Sequence, residues 1–477
     1  MQNVIALTCL LIATLAAPSA AAQSAATRLP EPVAQALAQA GIPETSAAVY
    51  VHEIGATQPI VAHGAERPLN PASTMKLVTT YAALDLLGPA YAWNTEVYAT
   101  GTLQQGVLTG NLILKGYGDP KLTQENFWLL LKNLRARGVR EIRGDLVLDN
   151  SYFDAVGYDP ARFDDQPTRP YNTGPDALLV NFKAVTLLFV PDHDTRTVKI
   201  LAEPALPQIA LVNNLTLGNG ACGDWVAQLK LEAQGNGDAA RLAFNGLYSR
   251  DCGEKTRSFS VLGHRQYAGA LFVQMWKELG GSLSGSVRQG EAPPEARLLT
   301  SVKSESLSEI VRDINKFSNN VMSRQLFLTL GAVGAAPPAT FDKANQGIRL
   351  WLAGKGLSFP ELVIENGSGL SRIERISAKN LGRLLLTAFS SPVMPELMAS
   401  LPLAAVDGTM KKRLNGAEIA GQAHIKTGSL TGVRSIAGYV LDNAGRRAIV
   451  VFIVNHPNAG KAQPVQDALL KWVYSRR

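Results

Sequence analysis

Apolar residues recur with two different periods along the chain. Every third or fourth position is apolar in "EPVAQALAQA" (31–40), "KLVTTYAALDLLG" (76–88), "FWLLLKNLRARG" (127–138) and "QYAGALFVQMWKELGG" (266–281). That spacing places one stripe on a helix and predicts helices there. "SAAVYVHEI" (46–54) reads as a strand, and "TEVYATGTLQQGVLTGNLILKGYGDP" (95–120) alternates between Gly turns, as hairpins do. From about residue 186 to 249 the texture stays strand-like, with Asn-Gly and Gly-Asp turns. From Ser306 helical patterns return in "SLSEIVRDINKFSNNVMSRQLFLTLGA", "ANQGIRLWLAGKG" and "AKNLGRLLLTAFS". The last part, "AHIKTGSLTGVRSIAGYVLDNAGRRAIVVFIVNHP", reads as three strands with a turn at Asp442–Gly445, followed by a closing helix.

A length of 477 residues with 46% hydrophobic content is ample for a large core and for two to three domains. The net charge of +7 is spread along the chain. No Lys/Arg run carries interleaved aromatics, so no nucleic-acid partner is expected. A mildly basic surface suits an anionic polymer or membrane face.

The apolar run at 4–17, followed by "PSAAAQ", resembles a secretory signal with a small-residue site at Ala20-Ala21-Ala22. The run is shorter than the ~20 residues of a spanning helix. Cleavage near Ala22 and a mature periplasmic chain without a transmembrane anchor are therefore expected. Two of the three cysteines, Cys222 and Cys252, would remain. In an oxidising compartment they read as one disulfide, with free thiols or a metal pair as alternatives. Two cysteines without nearby histidines make a poor metal site. No metal or cofactor is expected.

Three short motifs carry the chemistry. Ser73 precedes Lys76 by three residues at a helix start, so hydroxyl and amine share one face. Ser318-Asn319-Asn320 lies beside a helix, and Lys426-Thr427-Gly428 lies on a strand near the end. S-x-x-K, S-x-N and K-T-G in this order form the set used by active-site-serine enzymes that bind penicillin. The roles follow from acyl transfer. Ser73 needs a base to become a nucleophile. Lys76 serves if desolvation and a nearby cation, Lys426, lower its pKa. Ser318 passes a proton to the leaving amine, and Asn320 holds Lys76 and the substrate amide. Lys426 and Thr427 suit a C-terminal carboxylate. Gly428 leaves room for the substrate backbone, and the N–H groups of Ser73 and Ser429 form an oxyanion hole.

With these motifs the chain resembles the class C low-molecular-mass penicillin-binding proteins, D-alanyl-D-alanine carboxypeptidases that also cleave D-Ala-diaminopimelate cross-links. "KGYGDPKL" (115–122), "ENGSGLSRIERIS" (365–377) and "PLAAVDGTMKKR" (402–413) resemble further segments of that family. Tyr117, Asn366 and Ala405 depart from its usual Gly, Asp and Gly. The resemblance implies a multidomain α/β (α+β) fold. Its transpeptidase-like domain, a central antiparallel sheet flanked by helices, would comprise 23–88 and 298–477 after a signal peptide at 1–22. Two β-rich insertions would occupy 89–185 with 256–297, and 186–255. They would fill the half of the chain that separates Ser73 from Ser318. The resemblance further implies peptidoglycan peptides as substrates and β-lactams as covalent inhibitors. It sets Arg372 against the carboxylate and Asp149 against the amine of a diaminopimelate side chain. The alternatives for these two are an ion pair of Arg372 with Asp407 and a strand-end role for Asp149. Two other functional readings use the same residues: a serine β-lactamase-like hydrolase, and a non-catalytic cell-wall or penicillin-binding module. No S-D-N and E-x-x-x-N arrangement of the class A β-lactamase kind is present, and the intact motifs speak against loss of catalysis.

Overall fold

The computed structural model describes residues 28–154, 157–192 and 194–476. The expected signal peptide and Cys9 lie outside the described residues. A five-stranded antiparallel sheet forms the centre, in the order Val61–His63, Ala47–Glu53, Arg447–Asn455, Val433–Leu441, Ala423–Leu430. An early strand thus lies between an edge strand and the last strand of the chain. Arg447–Asn455 is apolar almost throughout because both its faces are buried. Ile449, Val451 and Ile453 face one core, and Val450, Phe452 and Val454 face the other. On the second face lie the helices Glu31–Gln39 and Gln463–Tyr474, which bring Val33, Leu37, Leu469 and Leu470 to that core.

The first face is covered by helices that carry Lys76 and Asn320. Lys76–Leu87 is buried along most of its length. Leu307–Phe317 starts in a capping box of Ser306 and Glu309, and buries Leu307, Ile310, Val311 and Ile314. It stops at Ser318, which has φ 57° in the left-handed region. The next helix, Asn320–Gly334, starts at once, with the Asn319 side chain accepting from Met322 N at 3.1 Å. Two adjacent caps therefore place Ser318 and Asn320 at a sharp break between helices.

The excursion that separates Ser73 from Ser318 leaves and returns at one place. Tyr91 O accepts from Leu307 N at 2.7 Å, and Trp93 O from Ser304 N at 2.9 Å. The outgoing strand Asn94–Ala99 then pairs antiparallel with the returning strand Arg297–Lys303. They belong to a mixed sheet with Leu112–Gly116, Leu146–Asp149 and Val287–Gln289. The helices Gln124–Ala136 and His264–Glu278 pack on it through Phe127, Leu130, Tyr267 and Phe272. Two three-stranded sheets follow between Val185 and Phe259, and their Phe189 and Phe244 join the same core as Phe127 and Tyr267. Cys222 and Cys252 are bonded to each other there. Among the described residues, no helix is long and apolar enough to cross a membrane.

Candidate active site

Ser73 sits on a 3₁₀ turn, Ala72–Met75, and the α-helix begins only at Lys76. The tighter turn helps, because residues i and i+3 eclipse in a 3₁₀ helix. The approach to this turn is pinned from several sides. Asn70 N donates to Asn455 Oδ1 at 2.8 Å, Asn70 Nδ2 to Ser371 O at 2.8 Å, and Ala72 N to Asn70 Oδ1 at 2.9 Å. Ala72 is held at φ 46°. Backbone strain of this kind persists only where the surroundings over-determine it.

Lys76 Nζ donates to Ser73 Oγ at 3.1 Å, to Asn320 Oδ1 at 2.6 Å and to the carbonyl of Ser368. The lysine is fully buried. Burial, then the cations Lys426 and Arg324, hold its pKa well below the ordinary lysine value, against the opposing pull of Glu374. Lys426 Nζ donates to Ser318 Oγ at 2.9 Å and to Thr427 O at 2.7 Å. Burial lowers its pKa to about 7. The three motifs are thus brought together: Ser73, Lys76 and Asn320 form one linked group, Ser318 and Lys426 another, and the backbone from Ser318 to Asn320 joins them.

On the strand Ala423–Leu430, Thr427 Oγ1 donates to Thr409 Oγ1 at 2.7 Å. Gly428 faces the Ser73 turn at close range. A Cβ there would meet Ser435 Oγ at 2.2 Å, Pro71 O at 2.8 Å and Ser73 N at 3.0 Å. Its missing side chain lets the strand pack on the Ser73 turn. Ser429 is exposed and its hydroxyl accepts from Arg434 Nη1.

The inserted segment contributes to this cleft. Phe163 packs with Ala72, Leu370, Leu430 and Val433 beside Ser73. A cavity of about 430 Å³ lies there, lined in part by Arg162, Phe163, Arg324, Asn366 and Arg372. The Arg372 guanidinium lies 4.3 Å from the Phe163 ring centroid and donates to Thr431 O at 3.4 Å. Asp407 is not its partner, since that carboxylate accepts from Lys316 Nζ at 2.6 Å. Arg324, on the Asn320 helix, reaches across to the insertion and donates to Tyr171 O at 3.0 Å and Thr173 O at 2.9 Å.

Asp149 is not brought to this group. It is fully buried, and its carboxylate accepts from Lys115 Nζ at 3.0 Å, Ser151 N at 3.0 Å, Ser151 Oγ at 2.6 Å and Ala292 N at 2.8 Å. Four donors occupy a group with about four lone-pair sites. The carboxylate secures its own sheet and leaves no room for a substrate amine.

Sequence reasoning missed Ser368, Arg324 and Thr409. Ser368 acts through its carbonyl, which no side-chain pattern signals. The departures at 366 and 405 also have local consequences. Asn366 Oδ1 accepts from Ser368 N at 3.0 Å and Ser368 Oγ at 2.6 Å, and so shapes the loop that faces Lys76. Ala405 carries its Cβ at φ 63°, a conformation that favours glycine.

Known proteins share this architecture. A D-alanyl-D-alanine carboxypeptidase of Actinomadura sp. (strain R39) is 31% identical over 425 residues, 84% of this chain and 76% of that protein. The crystal structure of penicillin binding protein 4 (dacB) from Haemophilus influenzae matches with a TM-score of 0.79 at 26% identity, covering 94% of this chain and 100% of that one. The same Haemophilus protein complexed with a novel β-lactam matches with a TM-score of 0.76 at 26% identity, again over 94% and 100% of the two chains. Residues 29–475 match a family model, and the chain belongs to the D-Ala-D-Ala carboxypeptidase 3 (S13) family.

Proposed function

We propose that this D-alanyl-D-alanine carboxypeptidase works through an acyl-enzyme on Ser73, also cleaves D-Ala-diaminopimelate cross-links of peptidoglycan, and is acylated by penicillin. The contact of Lys76 Nζ with Ser73 Oγ at 3.1 Å carries this reading. Lys76, whose burial and two neighbouring cations favour the unprotonated amine, takes the Ser73 proton as Oγ attacks the carbonyl of the penultimate D-Ala. Backbone N–H groups of Ser73 and Ser429 receive the oxyanion. Ser318, hydrogen-bonded to Lys426, relays to the departing D-Ala amine the proton that Lys76 took from Ser73, as the C–N bond breaks, and Lys76 is again unprotonated. Water then cleaves the ester and restores Ser73. Lys426, with Thr427, attracts the terminal carboxylate of the substrate.

Arg372 reads a carboxylate on the acyl side, from the rim of the cavity shared with Phe163. The occupied carboxylate of Asp149 leaves Arg372 as the remaining candidate reader of the diaminopimelate side chain. The β-lactam complex of the Haemophilus relative supports penicillin as an inhibitor. Residues 23–88 with 298–477 would form the catalytic domain, 89–185 with 256–297 and 186–255 the insertions. Residues 1–22 would direct the chain to the periplasm. Incubating the purified protein with a pentapeptide, a cross-linked muropeptide and a penicillin tests the reading. Release of D-Ala, cleavage of the cross-link and a long-lived penicillin adduct are expected. Rapid catalytic penicillin hydrolysis without D-Ala release would instead indicate a β-lactamase, and no turnover with any of the three a binding module.

A further inference from the structure

Glu374 is fully buried beside the site, and no step above uses it. Its Oε1 accepts three successive backbone N–H groups, from Glu365 at 3.1 Å, Asn366 at 3.1 Å and Gly367 at 3.2 Å. Its own N–H donates to Ser371 Oγ at 3.2 Å. Among the described residues Oε2 has no hydrogen-bond partner. The backbone held in this way is the one that touches the catalytic helices. Gly367 O accepts from Thr79 Oγ1 at 2.7 Å and from Ser323 Oγ at 2.8 Å. Thr79 lies one turn beyond Lys76, and Ser323 one turn beyond Asn320. Ser368 O accepts from Lys76 Nζ. Gly369 sits so close to the Ser73 turn that a Cβ would lie 2.0 Å from Ala72 O.

The charges form a closed set. Lys76 faces Lys426 and Arg324 as cations and Glu374 as an anion. Glu374 faces Lys76 and Arg324, and it also faces Glu365. Burial raises the pKa of Glu374, while the N–H groups of Asn366 and Glu365 and the charge of Lys76 favour its ionised form.

We propose that Glu374 is a positioning residue for acylation: its carboxylate holds the loop so that Ser368 O and Asn320 Oδ1 aim the Lys76 amine at Ser73, and its negative charge offsets Lys426 and Arg324 around that amine. This inference rests on the reading of Lys76 as the base. A buried carboxylate that accepts three N–H groups is a clamp in its own right. Here the clamped loop ends on the general base. The clamp and the charge are separable by substitution. Glu374→Gln keeps an oxygen for the three N–H groups and removes the charge. Glu374→Asp keeps the charge and shortens the reach.

The test is the rate constant of acylation by a fluorescent penicillin, measured from about pH 4 to about pH 9 so that both limbs of the profile are covered. Without the anion, protonated Lys76 loses support and gives up its proton at lower pH. In Glu374→Gln the acid limb is expected to move to lower pH by about one unit, with penicillin affinity unchanged. In Glu374→Asp the limb is expected to stay in place while the rate falls on the order of tenfold. Thermal unfolding of both variants shows whether they fold, and if one does not, the other decides. A wild-type acid limb in Glu374→Gln, or a wild-type rate in Glu374→Asp, overturns the role of Glu374. If the wild-type enzyme itself has no acid limb, the assignment of Lys76 as base fails and takes this inference with it.

Discussion

Lys426 Nζ donates to Ser318 Oγ at 2.9 Å, which ties the middle motif to the last one and leaves the lysine fully enclosed. Enclosure gives this lysine a titration near neutrality, with its pKa drawn down to about 7.

That titration sets an expected pH profile. If the Lys426 ammonium attracts the terminal carboxylate, kcat/KM for a D-Ala-terminated peptide falls as pH rises through about 7 in the free enzyme. Amidating the carboxylate removes a charge-assisted bond, a loss on the order of 1.5–3 kcal/mol. The amidated peptide should therefore be cleaved roughly ten- to hundredfold less efficiently. It should also lack the alkaline limb. If Lys76 acts as the base, on the acid side the rate should rise with pH through its lowered pKa. An alkaline limb of equal size for both peptides would remove Lys426 from carboxylate recognition.

Gly428 is expected to tolerate no side chain. In Gly428→Ala the added Cβ would lie 2.2 Å from Ser435 Oγ and 3.0 Å from Ser73 N, so strand and turn must separate. Overpacking of this kind costs about 1–3 kcal/mol. Because the displaced atoms include Ser73 N, kcat/KM should fall by more than the stability does. Thermal unfolding and acylation kinetics on the same sample check this. Unchanged acylation in Gly428→Ala would show that the close packing has no catalytic consequence.

The Cys222–Cys252 bond lies beside the small sheets of the insertion, in a core separate from the one that holds Met75 and Leu77, the neighbours of Lys76. Replacing both cysteines by serine should cost ~3 kcal/mol through the freed unfolded chain. Penicillin acylation at moderate temperature should be unaffected. Equilibrium denaturation alongside labelling rates measures both. A variant as stable as wild type, or one that acylates slowly while folded, would contradict this separation.

Arg372 stacks on Phe163 at the rim of the cavity, with its guanidinium exposed. If it reads a second carboxylate, peptides with diaminopimelate should outperform those with lysine at the same position by roughly tenfold or more. Arg372→Ala should erase the preference without slowing acylation by simple penicillins. Kinetics of both proteins on both peptides decide the matter. Equal discrimination in the two would assign Arg372 to packing against Phe163.

The three motifs were legible because each is a short run whose residue types have few other joint uses. The strands were legible too, since "RAIVVFIVN" announces a strand buried on both faces. Its pairing with Ala47–Glu53 was not, because alternation reveals a strand and not its distant neighbour. The break at Ser318 was hidden in a run whose apolar period continues on both sides. Only the left-handed φ of Ser318 and the cap at Asn319 produce it. Asp149 looked available at a strand end. Its partners Lys115 and Ala292 lie 34 and 143 residues away in sequence, beyond any local pattern. Glu374 gave no signal for a similar reason: its worth lies in three N–H groups and a buried lysine that only the fold assembles.

The central claim is that Ser73, activated by Lys76, forms the covalent intermediate. Mass spectrometry of the protein after brief exposure to penicillin tests it most directly. In the wild-type chain one penicilloyl group is expected, on the peptide that contains Ser73. In Ser73→Ala, folded as judged by thermal unfolding, neither the adduct nor D-Ala release from a pentapeptide should appear. An adduct that persists in Ser73→Ala, or one that maps to another residue in the wild-type chain, would contradict the mechanism.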